Sequence, residues 1–220
     1  RRSSKRTMRG ATRGVGMALD LRPGERVYQE IKQAILSGHF AIHQRLDIDK
    51  LAAQLGVSAT PVRYALAILA SERLVKLNTS RMYQVAFWSE RELHDLYQWR
   101  QQLVKWALES YVPAPLAAAI APEREYAGAY LAVMRHLSVN ANIEARRAAR
   151  AADDRLQPAL RFEKNVLQDA AGELARIAAA LENGGAPLAG AIRTYFRRRI
   201  AQSAQIRSAA HASAIPDNGD

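Results

Sequence analysis

Leu51–Val75, LAAQLGVSATPVRYALAILASERLV, is the stretch whose reading decides the fold. Ile48, Leu51, Ala52 and Leu55 recur at helical spacing, which predicts a short helix from about Asp47 to Leu55. Gly56 ends it, because the turn Leu55-Gly56-Val57-Ser58 needs a residue that reaches positive φ without a steric penalty. Ser58 reads as the N-cap of the next helix, and Pro61 is tolerated in a first turn, where backbone donors have no intrahelical partner. Val62, Ala65, Leu66 and Leu69 point inward, with Val57 wedged between the two helices. The outward residues at the start of the second helix are Ser58, Ala59, Thr60, Arg63 and Tyr64. A duplex major groove is wide enough to admit one helix presented in this way.

Working outward, Val27, Tyr28, Ile31, Ala34 and Ile35 predict a helix before this pair, stopped at Gly38. After it, two β-prone runs, Leu74–Leu77 and Tyr83–Phe87, flank the polar stretch Asn78-Thr79-Ser80-Arg81 and read as a hairpin. Ser89 then caps a new helix, and the rest reads as helix, broken at Pro113/Pro115, Pro122, Pro158 and Gly184-Gly185 to Pro187. The fold class is therefore mainly α. An N-terminal winged helix-turn-helix, three helices plus a small β-hairpin, is followed by an all-α helical bundle. The boundaries are a flexible basic arm at 1–20, the winged helix-turn-helix at 21–88, the helical domain at 89–209 and a loose tail at 210–220. Arg1, Arg2, Lys5, Arg6, Arg9 and Arg13 give the arm its charge, with no acid before Asp20. Such arms graze phosphates in other proteins, and a tail without a role is the plain alternative.

Leu51–Val75 resembles the signature of the GntR family of transcription regulators, and the preceding helix and following hairpin continue the likeness. The resemblance implies a DNA-binding homodimer, usually a repressor, on a double-stranded operator. It implies that Arg63 reads a base edge or phosphate, that Ser58 and Thr60 contact phosphates, and that Arg81 sits on the wing. The sequence departs from the family at Ala59, where a second arginine is usual, and at Tyr64, where glutamate is usual. Met82 replaces the wing glycine, and Ile42-His43 replace Pro-Gly. Losing an arginine at position 59 removes roughly 1–3 kcal/mol of base discrimination, so the operator cannot be borrowed from relatives.

The helical half resembles the FadR-type (FCD) branch of the family. Arg100 matches an arginine on the first helix of that domain, and Asp153-Asp154-Arg155-Leu156-Gln157 falls at its Asp-x-x-Phe-His signature. The resemblance implies a small carboxylate effector near Arg100, Asp153 and Gln157, beside a divalent metal. Gln157 stands where the family has histidine, and an amide oxygen is a weak ligand for Zn or Ni, which argues against the metal. Arg100 has a plain alternative, a side chain running its stem along a helix interface. Arg193, Arg197, Arg198 and Arg199, like Arg146, Arg147 and Arg150, read as solvated faces. The second reading of the whole chain is a ligand-independent regulator whose helical domain only dimerises or docks a protein partner.

Bulk properties agree with a folded DNA-binding protein. Hydrophobic residues are 49 % of the 220, enough for a core, and the net charge of +11 favours an anionic partner, nucleic acid before a membrane surface. The absence of cysteine excludes disulfides and thiolate chemistry. No run approaches the roughly 18–20 apolar residues of a membrane span, and the cytoplasm is the expected compartment. There is no phosphate loop, no His-Glu-x-x-His and no nucleophile elbow, so an enzyme is not expected.

Overall fold

The computed structural model describes residues 23–116 and 125–213. The arm at 1–20, the Pro122 break and residues 214–220 lie outside them. Helix α1 (Pro23–Ser37) buries Val27, Ile31 and Ile35, the three apolar positions that share one helical face. Strand β1 (Arg45–Leu46) and helix α2 (Ile48–Leu55) follow. Asp47 caps α2, its carboxylate accepting from the N–H groups of Asp49 and Lys50, both at 3.0 Å. Gly56 takes φ 64°, ψ 38° and closes the helix by donating to Ala52 O and Ala53 O. Helix α3 (Ala59–Ser71) then packs on α1 and α2.

The wing is β2 (Val75–Leu77) and β3 (Tyr83–Val85), antiparallel with Val75 opposite Val85 and Leu77 opposite Tyr83. It is wider than a hairpin. Strand β1 pairs with the free edge of β3, Arg45 opposite Gln84 and Leu46 opposite Tyr83, giving the order β1-β3-β2. Leu46 points into the head core while Arg45 stays outside, the alternation expected of a strand buried on one face.

The helical half comprises α4 (Glu90–Glu109), α5 (Tyr126–Leu137), α6 (Ile143–Val166), α7 (Ala170–Ala180), α8 (Gly185–Ala201) and α9 (Ser203–Ala212). Its core is separate from that of the head. Phe87 and Trp88, assigned to the head from sequence, belong to this second core. Phe87 also meets the His43 ring of the head, so it lies between the two. At the other end α9 runs to Ala212 and buries Ala210, past the limit set at residue 209. Pro158 does not break the chain; it sits inside α6. A proline costs a helix interior about 3 kcal/mol, and packing of α6 against α4, α5 and α9 outweighs it.

Ser89 begins α4 with a reciprocal cap. Its hydroxyl accepts from the Glu92 N–H at 3.2 Å, and its own N–H donates to Glu92 Oε2 at 2.7 Å. The Ser89 N–H, then its hydroxyl, hold the Glu92 carboxyl below the usual range. A depressed carboxyl adds stability above its unfolded pKa, about 4.3, and that stability is lost as pH falls through the folded value. Ser89→Ala should cost about 1 kcal/mol in urea unfolding at pH 7. Its stability should also fall less steeply than the wild type's below about pH 4; equal slopes would contradict the assignment.

Candidate nucleic-acid interface

One side of α3 is sealed and the other is open. Val62, Ala65, Leu66 and Leu69 are all fully buried, locking the helix at one angle against α1 and α2. Ser58, Thr60, Arg63 and Tyr64 are exposed and Ala59 is half-buried, so the expected residues share one accessible surface. The helical domain does not cover it. Tyr64, a large ring, leaves 62 % of its surface exposed among the described residues. Ser58 corrects the sequence reading. It has the extended backbone of an N-cap, yet its side chain makes no capping hydrogen bond. Its exposed hydroxyl is therefore not engaged in capping, and a free hydroxyl at a helix N-terminus suits a phosphate oxygen.

At the wing tip Arg81 is exposed with φ 56°. The turn is closed by Arg81 N–H to Asn78 O at 2.9 Å, and Asn78 Oδ1 accepts from the Met82 N–H at 2.9 Å. With the usual wing glycine replaced by Met82, the left-handed residue is the arginine one position earlier. Arg45 is a cation that the sequence reading missed. It lies on β1, its guanidinium meeting Met82 Sδ, so the wing carries two arginines. A two-residue strand gives no periodicity from which it could have been read.

Arg100, Asp153 and Gln157, expected to face an effector, sit inside the helical domain. Arg100 is fully buried, which also excludes a side chain snorkelling to solvent. Its Nε donates to Asp153 Oδ1 at 2.6 Å and its Nη2 to Oδ2 at 3.1 Å. Tyr130 OH donates to the same Oδ1 at 2.9 Å. The carboxylate in the arginine's fork is thus the protein's own. Burial opposes the Arg100 charge, but Asp153 more than offsets that and holds it on. Gln157 is half-buried one turn further along α6. A divalent metal does not fit this donor set. Asp153 is spoken for, its neighbour is an amide, and no three His, Asp or Glu side chains converge among the described residues. His136 instead meets Ala114 O at 3.1 Å.

A second buried charge system was not foreseen. Arg199, read as solvated, is fully buried and binds Glu163 Oε2 through Nε and Glu173 Oε2 through Nη1, both at 2.8 Å. Tyr126 OH donates to Glu163 Oε2 at 2.6 Å, Tyr97 OH to Oε1 at 2.7 Å, and Arg199 lies over the Tyr195 ring. Burial, first of all, pushes the Tyr97, Tyr126 and Tyr195 phenols up, so they remain neutral donors.

The two halves meet at Lys32 on α1. Its ammonium contacts Asp154 Oδ2 on α6 at 2.7 Å, Glu72 Oε2 at the end of α3 at 3.0 Å, and Tyr28 OH at 3.0 Å. Burial opposes the charge, but hydrogen bonds to Asp154, Tyr28 and Glu72 outweigh it and raise the lysine above its usual value. Arg161 donates to Leu36 O, and Arg207 Nε to Trp88 O at 3.0 Å. Asp153 and Asp154 thus point to different partners, as adjacent helical residues must.

Known proteins place the head. Residues 23–82 match the sequence model of bacterial regulatory proteins, gntR family. The gluconate operon transcriptional repressor of Bacillus licheniformis is 34 % identical over 89 residues, 40 % of this chain and 34 % of that protein. The HTH-type transcriptional repressor GlaR of Escherichia coli K12 is 33 % identical over 76 residues, 34 % of each chain. The match thus spans about a third of the length of these relatives. These relatives are transcription regulators, not enzymes. Among solved structures, a putative transcriptional regulator GntR from Rhodococcus sp. RHA1 superposes over 83 % of this chain and 97 % of its own, with TM-score 0.72 and 23 % identity. McbR/YncC of E. coli does so over 84 % and 98 %, with TM-score 0.62 and 20 % identity. The sequence likeness supports the GntR reading of the head. The structural likeness is one of fold, in which the helical half fits without assigning the FadR-type branch.

Asp153→Ala leaves a buried guanidinium unpaired and should cost about 3–5 kcal/mol in urea unfolding. Replacing the pair together, Arg100→Met with Asp153→Leu, should recover most of that loss. A double variant no more stable than the single one would contradict a closed internal pair.

Proposed function

We propose that this protein is a sequence-specific, double-stranded-DNA-binding transcription repressor of the GntR type, acting as a homodimer. The observation that carries the reading is the open face of α3, with Ser58, Thr60, Arg63 and Tyr64 exposed above four fully buried residues. In this reading Arg63 contacts a base edge or phosphate, Ser58 and Thr60 hold phosphates, Ala59 and Tyr64 make apolar contacts, and Arg81 with Arg45 lies along the backbone. The net charge of +11 supports an anionic partner. No helix among the described residues is long and apolar enough to cross a membrane. The repressor role is carried over from the names of the two curated relatives.

Of the two versions of this function, the filled fork of Arg100 favours the one in which the interior of the helical domain is structural rather than an effector pocket. The outer face of α4 supports the dimer. Trp99 and Trp106 are 43 % and 53 % exposed, edge to face at 5.9 Å, amid exposed charges of both signs. An antiparallel pairing with a second copy, centred on position 100, sets Arg91 opposite Glu109 and Asp95 opposite Lys105. Such self-complementarity is what a two-fold interface requires.

Selection of bound sequences from a random duplex pool should yield a short pseudo-palindrome. Arg63→Ala should weaken binding to it by about tenfold or more, a loss of roughly 1–3 kcal/mol, and relax preference at one position of each half-site. Arg81→Gly should leave the fold as stable, since glycine suits φ 56°. It should weaken binding to all duplexes alike and lower the salt slope by about 0.9 per arginine. Binding that ignores sequence and is unchanged by Arg63→Ala would refute the reading. Trp106→Glu should shift sedimentation from dimer to monomer; a dimer that persists would place the interface elsewhere.

A further inference from the structure

We infer that Asp154, Arg161 and Arg207 are positioning residues: together they hold the head at one angle on the helical domain and so set the half-site spacing that a dimer recognises. This rests on the dimeric, DNA-binding reading above and names what fixes its geometry. Asp154 Oδ2 pairs with the ammonium of Lys32 at 2.7 Å, in the middle of α1. Arg161, about two turns further along α6 and on the same face, donates to Leu36 O near the end of α1. That carbonyl is one of the last four of its helix, which no helical N–H reaches. Arg207 on α9 holds the connecting segment. Its Nε donates to Trp88 O at 3.0 Å, and its guanidinium lies 5.0 Å from the centre of the Phe87 ring. Phe87 in turn meets the His43 ring of the head at 4.9 Å.

Two points along one helix leave rotation about it free, and a third point on another segment removes that freedom. Apolar packing does not do this alone, because the halves leave a cavity of about 170 Å³ where they face each other. Ile35, Phe40 and Val85 line it from the head, and Pro158, Phe162 and Ala210 from the helical domain. A gap forfeits the contacts that would resist a tilt, whereas a hydrogen bond is directional. Arg161 and Arg207 are half-buried, and each has its one side-chain hydrogen bond, among the described residues, at this junction. Gly38 completes the fit. It is left-handed at φ 76°, and a Cβ there would overlap the Arg161 guanidinium.

In a two-fold dimer joined through the helical domains, the angle of each head sets where its α3 meets the duplex, and half-site spacing mirrors that geometry. A head roughly 20–30 Å across that tilts by about 10° moves its recognition helix by roughly 3.5–5 Å, at least one base-pair step of about 3.4 Å. The three residues therefore act on spacing. The base-facing side chains of α3 lie wholly in the head and keep their own preference.

Fluorescence anisotropy on duplexes carrying two copies of the selected half-site, with their spacing varied one base pair at a time through a helical turn, tests the inference. The wild type should bind one spacing at least tenfold tighter than spacings two base pairs away. Asp154→Asn with Arg161→Gln and Arg207→Gln should flatten that preference to threefold or less. The same variant should keep the wild-type preference among single half-sites of altered sequence, a separation that general loss of stability does not produce. Asp154→Glu, which keeps the carboxylate, should keep the spacing preference. Gly38→Ala displaces Arg161 while keeping every charge; it should relax the preference in part, and serves if the triple variant does not fold. Circular dichroism melts and sedimentation confirm the fold and oligomeric state of each variant. A sequence-selective wild type that is indifferent to spacing overturns this inference and leaves the regulator reading standing. So does an unchanged spacing preference in the triple variant or in Gly38→Ala, or a triple variant that loses half-site preference as well. A wild type that selects no half-site defeats the regulator reading, and this inference with it.

Discussion

A guanidinium group removed from water must find a carboxylate, and two such groups organise the helical half of this protein. Arg100 reaches Asp153 from α4 to α6, and Arg199 reaches Glu163 and Glu173 from α8 to α6 and α7. Neither pair contributes much net stability, since desolvation of both charges offsets most of their attraction. What they impose is register. A helix shifted by one residue would separate each arginine from its acid and leave both uncompensated, a far larger penalty than any lost apolar contact. Four tyrosines complete the shell, so the centre of the domain is polar and closed, with the apolar residues arranged around it.

The head obeys a different constraint. Its core is wholly apolar, and α3 is fixed by fit and by the Gly56 turn rather than by charge. Freedom from internal polar obligations leaves the outer side chains of α3 available to a partner. Among the contacts between the two halves is Lys32, which satisfies an acid from each side.

How much of this the sequence discloses follows from the range of the interactions involved. Helix–turn–helix order, the Gly56 turn and the Ser89 cap depend on residues within a few positions of one another and were legible. The Phe87 boundary was not, because its partners lie far along the chain in the helical domain. The breaks at Leu167–Asp169 and at Gln202 carry neither glycine nor proline; Asp169 simply adopts φ 60°. Pro158 carried the opposite signal and was overruled by packing. Arg199 and Glu163 look like surface residues to any local rule. Their pairing across 36 positions is a product of the tertiary fold alone. The α3 face was legible for the converse reason, since exposure of Ser58, Thr60, Arg63 and Tyr64 follows from the inward set on the same helix.

The Lys32 junction bears on how such a protein can be recombined. A chain with two separate cores invites recombination at the connecting segment. Here the junction at Phe87 is remote in sequence from the Lys32–Asp154 contact between the halves. A body from another source lacking an acid at the place of Asp154 would leave a half-buried ammonium with one carboxylate, Glu72, and the Tyr28 hydroxyl. Exchange of modules would therefore favour donors that bring a matching acid on the third helix of the body, and lineages of heads and bodies would tend to travel together.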